Sequence, residues 1–211
     1  MGTLLKARIP VQQRGIETKE KLISAAMVLF SEKGYHKTNA MEIAAKAEIA
    51  TGTFYSYFNN KKEIFIEIII RIFKSIAENV LLKFELKIHK SPVDNYKEFK
   101  KLIHFIVYNV LSEYNFNHRL LKEILAMVLL DKEIEKIRVK EEKKLISLLV
   151  LYFQTYKEHL RISDFEAAAV LLLKCSEEII HQIKYGGTDI QEKRFLKELE
   201  DLICRYLLIE G

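Results

Sequence analysis

Only two prolines, Pro10 and Pro92, interrupt 211 residues, and no segment alternates β-branched and polar residues with a period of two. A proline inside a helix costs about 3 kcal/mol or more, so a chain that avoids it over such lengths is free to form long helices. Leu, Ile, Lys and Glu dominate, and this composition favours helix. Six of the seven glycines keep to positions a helix tolerates. Gly2 and Gly15 lie in the leading segment, Gly34 and the pair Gly186-Gly187 follow apolar-periodic runs, and Gly211 is last. Gly52 breaks the pattern. It sits in "TGTFYSYF", residues 51–58, ahead of four aromatics, where a glycine costs a helix about 0.5–1 kcal/mol against alanine.

The punctuation predicts nine helices, three short and then six longer, and an all-α fold. Leu22, Ala25, Ala26, Leu29 and Phe30 share one helical face, and Gly34 stops that helix. "NAME", residues 39–42, is a capping-box variant opening a second, short helix with Ile43, Ala44 and Ala47. The aromatic stretch is the third. "NKKE", residues 60–63, repeats the box with Asn60 and Glu63 and starts a helix to about Lys87. "SPVD" at 91–94 opens a fifth, to about Glu113. A sixth runs to about Leu130, and "DKEIEK" opens a seventh, to about His159. "SDFE" at 163–166 and "TDIQ" at 188–191 open the last two.

Residues 1–63 hold 10 Lys/Arg against 6 Asp/Glu, and the remainder 24 against 23, so most of the net charge of +5 lies in the first third. A basic module attached to a nearly neutral one makes nucleic acid the first partner to consider. Cys175 and Cys204 match no metal-ligand spacing and read as packing residues in a reducing, cytoplasmic setting. The N-terminus has no apolar h-region, and the apolar runs are too short to span a membrane. Glu178 and His181 make a Glu-x-x-His pair. A carboxylate-bridged di-iron bundle needs two such pairs and two more glutamates, so no enzyme, metal or cofactor is expected.

Residues 38–58 read as helix, turn, helix, the geometry in which the second helix of the pair enters the major groove. Gly52 lets the backbone approach DNA closely, and Thr51 and Thr53 carry short hydroxyls and methyls that reach base edges. Phe54 and Phe58, four apart, should pack inward. Tyr55 and Tyr57 leave that face and can offer hydroxyls to phosphates, as Lys61 can offer a point charge.

"LISAAMVLFSEKGYHKTNAMEIAAKAEIATGTFYSYFNNKKEIF", residues 22–65, resembles the DNA-binding region of the tetracycline-repressor (TetR) family of bacterial transcription regulators. The matching elements are "AA" then "LF", "KGY", a Thr followed by "EIA", "GTFY", the "YF" pair and a Lys-Glu helix start. The resemblance implies groove contacts from Thr51, Gly52 and Thr53. It implies phosphate contacts from Tyr55, Tyr57, Lys61 at the start of the fourth helix, and Thr38 ahead of the second. The sequence departs at Glu48-Ile49-Ala50, where similar proteins have glycine, an apolar residue and serine. Ala50 cannot cap the recognition helix, and Thr51 is the alternative cap, which would start the helix one residue late.

The resemblance also implies a three-helix DNA-binding domain with an N-terminal arm at 1–63. A six-helix ligand-binding and dimerisation domain at 64–211 would follow. A small, lipophilic effector would need an apolar cavity with a few polar groups. Candidates are Asn109, on the apolar face of its helix with Phe99, Leu102, Ile103 and Ile106; Tyr108 beside it; Tyr152, continuing the face of Leu145 and Leu148; and His181, after Ile179 and Ile180. The last two helices are expected to form a homodimer through residues such as Leu171, Leu199, Leu202, Ile203 and Tyr206. The expected function is repression of transcription from double-stranded operator DNA, relieved by the effector. A ligand-independent architectural protein with a solid core, and a helical adaptor, are the alternatives.

Overall fold

The computed structural model describes residues 13–78, 96–113, 118–186 and 189–209. Nine α-helices run through the described residues. They are α1 (Gln13–Lys33), α2 (Ala40–Lys46), α3 (Thr51–Tyr57), α4 (Lys61–Ala77), α5 (Tyr96–Glu113), α6 (His118–Leu130), α7 (Lys132–Thr155), α8 (Phe165–Tyr185) and α9 (Glu192–Leu207). The expected starts at Ser91-Pro92 and Thr188 lie outside the described residues, as do the leading segment and the far end of the fourth helix. Only α2 and α3, of seven residues each, are short; α1 has 21. Its extra turns are polar, held by Gln13 donating to Glu17 at 3.2 Å and Thr18 to the Arg14 carbonyl at 2.8 Å. An apolar stripe beginning at Leu22 could not announce them.

The chain divides into two compact units, Met1–Ile72 with Asn117–Arg138, and Phe73–Phe116 with Val139–Gly211. In the first, α1 packs against α2 and α6, and α2 against α3. Its fully buried side chains include Leu22, Phe30, Ile43, Phe54, Phe65, Leu120 and Ile134. Phe65 meets Phe30 edge-on at 5.1 Å and Tyr35 at 4.9 Å, contacts favoured by the ring quadrupoles. Outside this core, Glu67 of α4 takes Lys19 of α1 and its own neighbour Arg71, each at 3.0 Å.

The α6–α7 corner is fastened to the N-terminal helices by polar groups. Gly34 ends α1 at φ +85°, a left-handed conformation that favours glycine. A Cβ there would also lie 3.1 Å from the Glu123 carboxylate, which accepts the Tyr35 N–H at 2.8 Å. Asp131 caps α7 by accepting from the N–H groups of Glu133 and Ile134. Its other oxygen meets Lys62 at 2.7 Å, and Glu133 meets the same ammonium at 2.6 Å. The hydrogen bond to Asp131 does most to push Lys62 up to about 12, and the same bond holds Asp131 below its usual 3.8. A depressed carboxylate contributes stability above its unfolded pKa and loses it as pH falls; a raised lysine contributes below its own and loses it as pH rises. Lys62→Met should therefore lower the thermal midpoint by a constant amount between pH 3.8 and 10.5, the two ordinary values. The difference should shrink in stronger acid. Melting curves in which it persists there would remove this ion pair as its cause.

In the second unit, α9 packs against α5 and α8. Phe99, Ile103, Phe153, Ala168, Leu199 and Ile203 belong to one buried cluster. Lys100 pairs with Asp201 at 2.9 Å and His104 with Glu200 at 2.8 Å on the rim of the same helix pair. Cys204 is fully buried in this cluster and burial pushes its thiol up to about 11, so it behaves as a packing residue. Asp164 caps α8 by accepting from Ala167 N–H at 2.9 Å. After α7 a 3-10 turn, Lys157–His159, leads into an isolated antiparallel bridge, Leu160 to Leu208. Arg161 N–H donates to the Leu207 carbonyl at 2.9 Å and Ile209 N–H to that of His159 at 3.3 Å. Among the described residues, no helix is long and apolar enough to cross a membrane.

Candidate nucleic-acid interface

Local chemistry sets the position of α2 and α3. Asn39 accepts the Glu42 N–H at 3.0 Å and its own N–H donates to the Glu42 carboxylate at 3.0 Å, a complete capping box. Lys33 pairs with the same carboxylate, and that bond foremost, with the one from Asn39, holds Glu42 below the usual carboxylate range. The box before α4 closes differently from its sequence pattern. Asn60 accepts from Lys62 and Glu63 N–H groups, but Glu63 reaches back to Asn59, at 2.8 Å to its N–H and 2.7 Å to its side-chain amide.

Between α2 and α3 the backbone at Glu48 takes φ 56°, the left-handed region in which a non-glycine residue is strained. Ala50 is the N-cap of α3 and makes no side-chain cap bond; Thr51 is the first helical residue and does not cap. Glycine would relieve the turn and remove a carboxylate from this surface. Glu48→Gly should raise stability by about 1 kcal/mol and tighten binding to any duplex. A thermal midpoint that falls in this variant would show that Glu48 makes a contact outweighing its backbone strain.

The aromatics of α3 divide as their spacing predicts. Phe54 and Phe58 are buried, 0% and 3% exposed, with centroids 5.8 Å apart. Tyr55 is 53% exposed, and Tyr57 is half-buried. Thr51 and Thr53 are half-buried and Gly52 is exposed, with nothing within 4 Å of the place a Cβ would occupy. No neighbour in the chain requires glycine at 52. Its position leaves a strip of bare backbone beside two short hydroxyls, on a helix seated by buried rings.

Two residues expected at phosphates are otherwise engaged. Thr38 is 1% exposed, and its hydroxyl donates to the Gly34 carbonyl at 2.9 Å, closing the turn after α1. Lys61 donates to the carbonyls of Tyr35, His36 and Thr38 at 2.8, 3.3 and 2.9 Å, and its ammonium lies 4.4 Å from the Tyr35 ring centroid. Burial lowers its pKa, which the nearby Glu42 charge partly offsets. The acceptors are 23 to 26 residues upstream, so no local pattern could reveal them.

The candidate effector contacts are carried by α5, α7 and α8. Tyr108 is 61% exposed and stacks on His104 with centroids 6.1 Å apart. Tyr152 is half-buried against the core of the second unit, and His181 is half-buried on α8. The side chain of Asn109 lies outside the described residues. Glu178 accepts from Gln182 at 2.8 Å, and no group of three or more potential metal ligands occurs among the described residues.

Two residues expected at the dimer face are covered within the chain. Leu199 and Ile203 are 2% and 8% exposed and complete the chain's own core. The large apolar side chains that α8 and α9 leave open are Val170, Leu171, Leu202 and Tyr206, at 37%, 58%, 49% and 37%.

Residues 22–68 match the family described as bacterial regulatory proteins, tetR family. Within that region the chain is 46% identical to the HTH-type transcriptional regulator HbdR of Aromatoleum sp. over 48 residues, 23% of this chain and 21% of HbdR. It is 32% identical to the HTH-type transcriptional regulator AcrR of Shigella flexneri over 114 residues, 54% of this chain and 50% of AcrR. The chain thus spans half or less of the length of these relatives. The fold of SmeT, the repressor of the Stenotrophomonas maltophilia multidrug efflux pump SmeDEF, superposes with a TM-score of 0.67 at 19% identity. That likeness covers 92% of this chain and 94% of SmeT.

Proposed function

Residues 22–68 make the chain a member of the tetR family of bacterial regulatory proteins, and on that premise we propose that it is a cytoplasmic, homodimeric DNA-binding transcriptional repressor, released from its operator by a small lipophilic molecule. This family comprises regulators, not enzymes. The observation that carries the reading is the exposed start of α3, where Gly52 leaves open space between Thr51 and Thr53. A glycine that no internal contact requires costs the free helix stability, and the close approach of something outside the chain accounts for its presence. A base-pair edge and its backbone are such a surface. Tyr55 and Tyr57 flank it as phosphate donors, and the functional boundary falls near residue 63, where α4 begins. A structure of a SmeT–triclosan complex has been solved, which supports a small molecule as the effector here.

The test combines two titrations. Labelled duplexes from the chain's own genomic neighbourhood should bind at nanomolar to micromolar levels with steep salt dependence. Compounds that raise the thermal midpoint should weaken that binding by the same factor by which DNA weakens theirs. Absence of any duplex binding at low salt would overturn the reading. DNA binding that no stabilising compound alters would favour a ligand-independent regulator.

A further inference from the structure

The Lys61 ammonium has three N–H donors, and all three have backbone carbonyl acceptors in one turn. The same ammonium lies 4.4 Å from the Tyr35 ring centroid. These carbonyls belong to residues 35, 36 and 38, which surround Lys37. Lys37 is exposed and, among the described residues, bonded to nothing, whereas Lys19, Lys33 and Lys62 of the same unit are committed to carboxylates. Thr38, the next residue, has its hydroxyl turned inward to the Gly34 carbonyl. The turn between α1 and α2 is therefore closed from below by Lys61 and Thr38, and presents one uncommitted cation.

We infer that Lys61 is a positioning residue that holds the α1–α2 turn, and that Lys37 is the cation this turn supplies to a DNA phosphate. The inference rests on the DNA-binding reading and reassigns the charge within it. An ammonium suits three converging carbonyls because its donors are arranged about a point. A guanidinium is planar, and its donors fan outward in a fixed fork. The two roles therefore respond oppositely to arginine. A phosphate-bound lysine accepts the exchange, since guanidinium binds phosphate at least as well. A turn clamp does not.

The experiment uses the full chain and a random-sequence duplex, because phosphate contacts carry no base information. Binding is measured against salt for the wild type and for Lys37→Ala, Lys37→Arg, Lys61→Arg and Lys61→Met, with a melting curve for each. Lys37→Ala should reduce the slope of log affinity against log salt by about 0.9, the value of one phosphate, at an unchanged melting temperature, and Lys37→Arg should restore it. Lys61→Arg and Lys61→Met should both melt lower and bind more weakly, with the wild-type slope. Met keeps an unbranched apolar side chain at this position, which preserves a folded variant for the comparison. If Lys61→Arg binds and melts like the wild type while Lys61→Met loses about one phosphate from the slope, Lys61 is the phosphate contact and the inference fails. An unchanged slope in Lys37→Ala also overturns it. If the wild type itself binds no duplex, the DNA-binding reading fails instead.

Discussion

Chains carrying Leu202→Glu and Tyr206→Glu should sediment as folded monomers, whereas chains carrying Leu199→Glu and Ile203→Glu should not fold their second unit. All four residues lie on α9 at helical spacing, and their exposures separate them. Leu199 and Ile203 are part of the buried cluster that α9 forms with α5 and α8. A buried, unpaired carboxylate there adds its desolvation to the loss of the apolar side chain, together several kcal/mol. That is a large share of the 5–15 kcal/mol by which domains are stable. Leu202 and Tyr206, 49% and 37% exposed, have less packing within the chain to lose. In a two-fold interface each would face its symmetry mate or a near neighbour, and four added carboxylates would repel. The monomer should bind a two-half-site operator far more weakly than the wild type, because each head reads only a few base pairs. A Leu202→Glu/Tyr206→Glu variant that remains dimeric by sedimentation would move the interface elsewhere.

Gly52→Leu should stabilise the free chain and nearly abolish DNA binding. Leucine is a better helix former than glycine by roughly 0.8 kcal/mol, and the first turn of α3 realises part of that. The space around residue 52 is open, so the new side chain meets no neighbour in the chain. The same side chain would occupy the volume into which a groove edge must come. Losing the contacts of one or two base pairs, about 1–3 kcal/mol each, weakens specific binding by at least about fivefold and by about a hundredfold near the middle of that range. Melting temperature and affinity should move in opposite directions. A variant that binds DNA as the wild type does would separate Gly52 from the interface.

What could be read from the residues alone follows a physical division. The start of α2 was legible because the Asn39–Glu42 box is closed within four residues. The inward turn of Phe54 and Phe58 was legible because a four-residue spacing marks one helical face. Lys61 was not: its charge suggested a phosphate, and its acceptors are fixed only once α4 returns to α1. The two faces of α9 were not separable either. An apolar stripe wider than one contact shows that something is covered, without showing whether the cover is the same chain or a second copy. Glu123 offered no signal at all, since its partner is a backbone N–H 88 residues away.

The fastening of α6 to the N-terminal helices has a consequence during synthesis. The ribosome delivers the chain in order, and Ile72 emerges well before Asn117, where the second part of the same compact unit begins. At about 5–20 residues per second that interval lasts on the order of 2–9 s. During it α1 to α4 exist without Leu120 and Ile134 in their core and without a carboxylate for Lys62. The nascent head is thus incomplete, with apolar surface open to chaperones and to neighbouring chains. Pausing of translation between these segments would lengthen that exposure, so yield in the cell should respond to codon choice there even though the finished protein is unchanged.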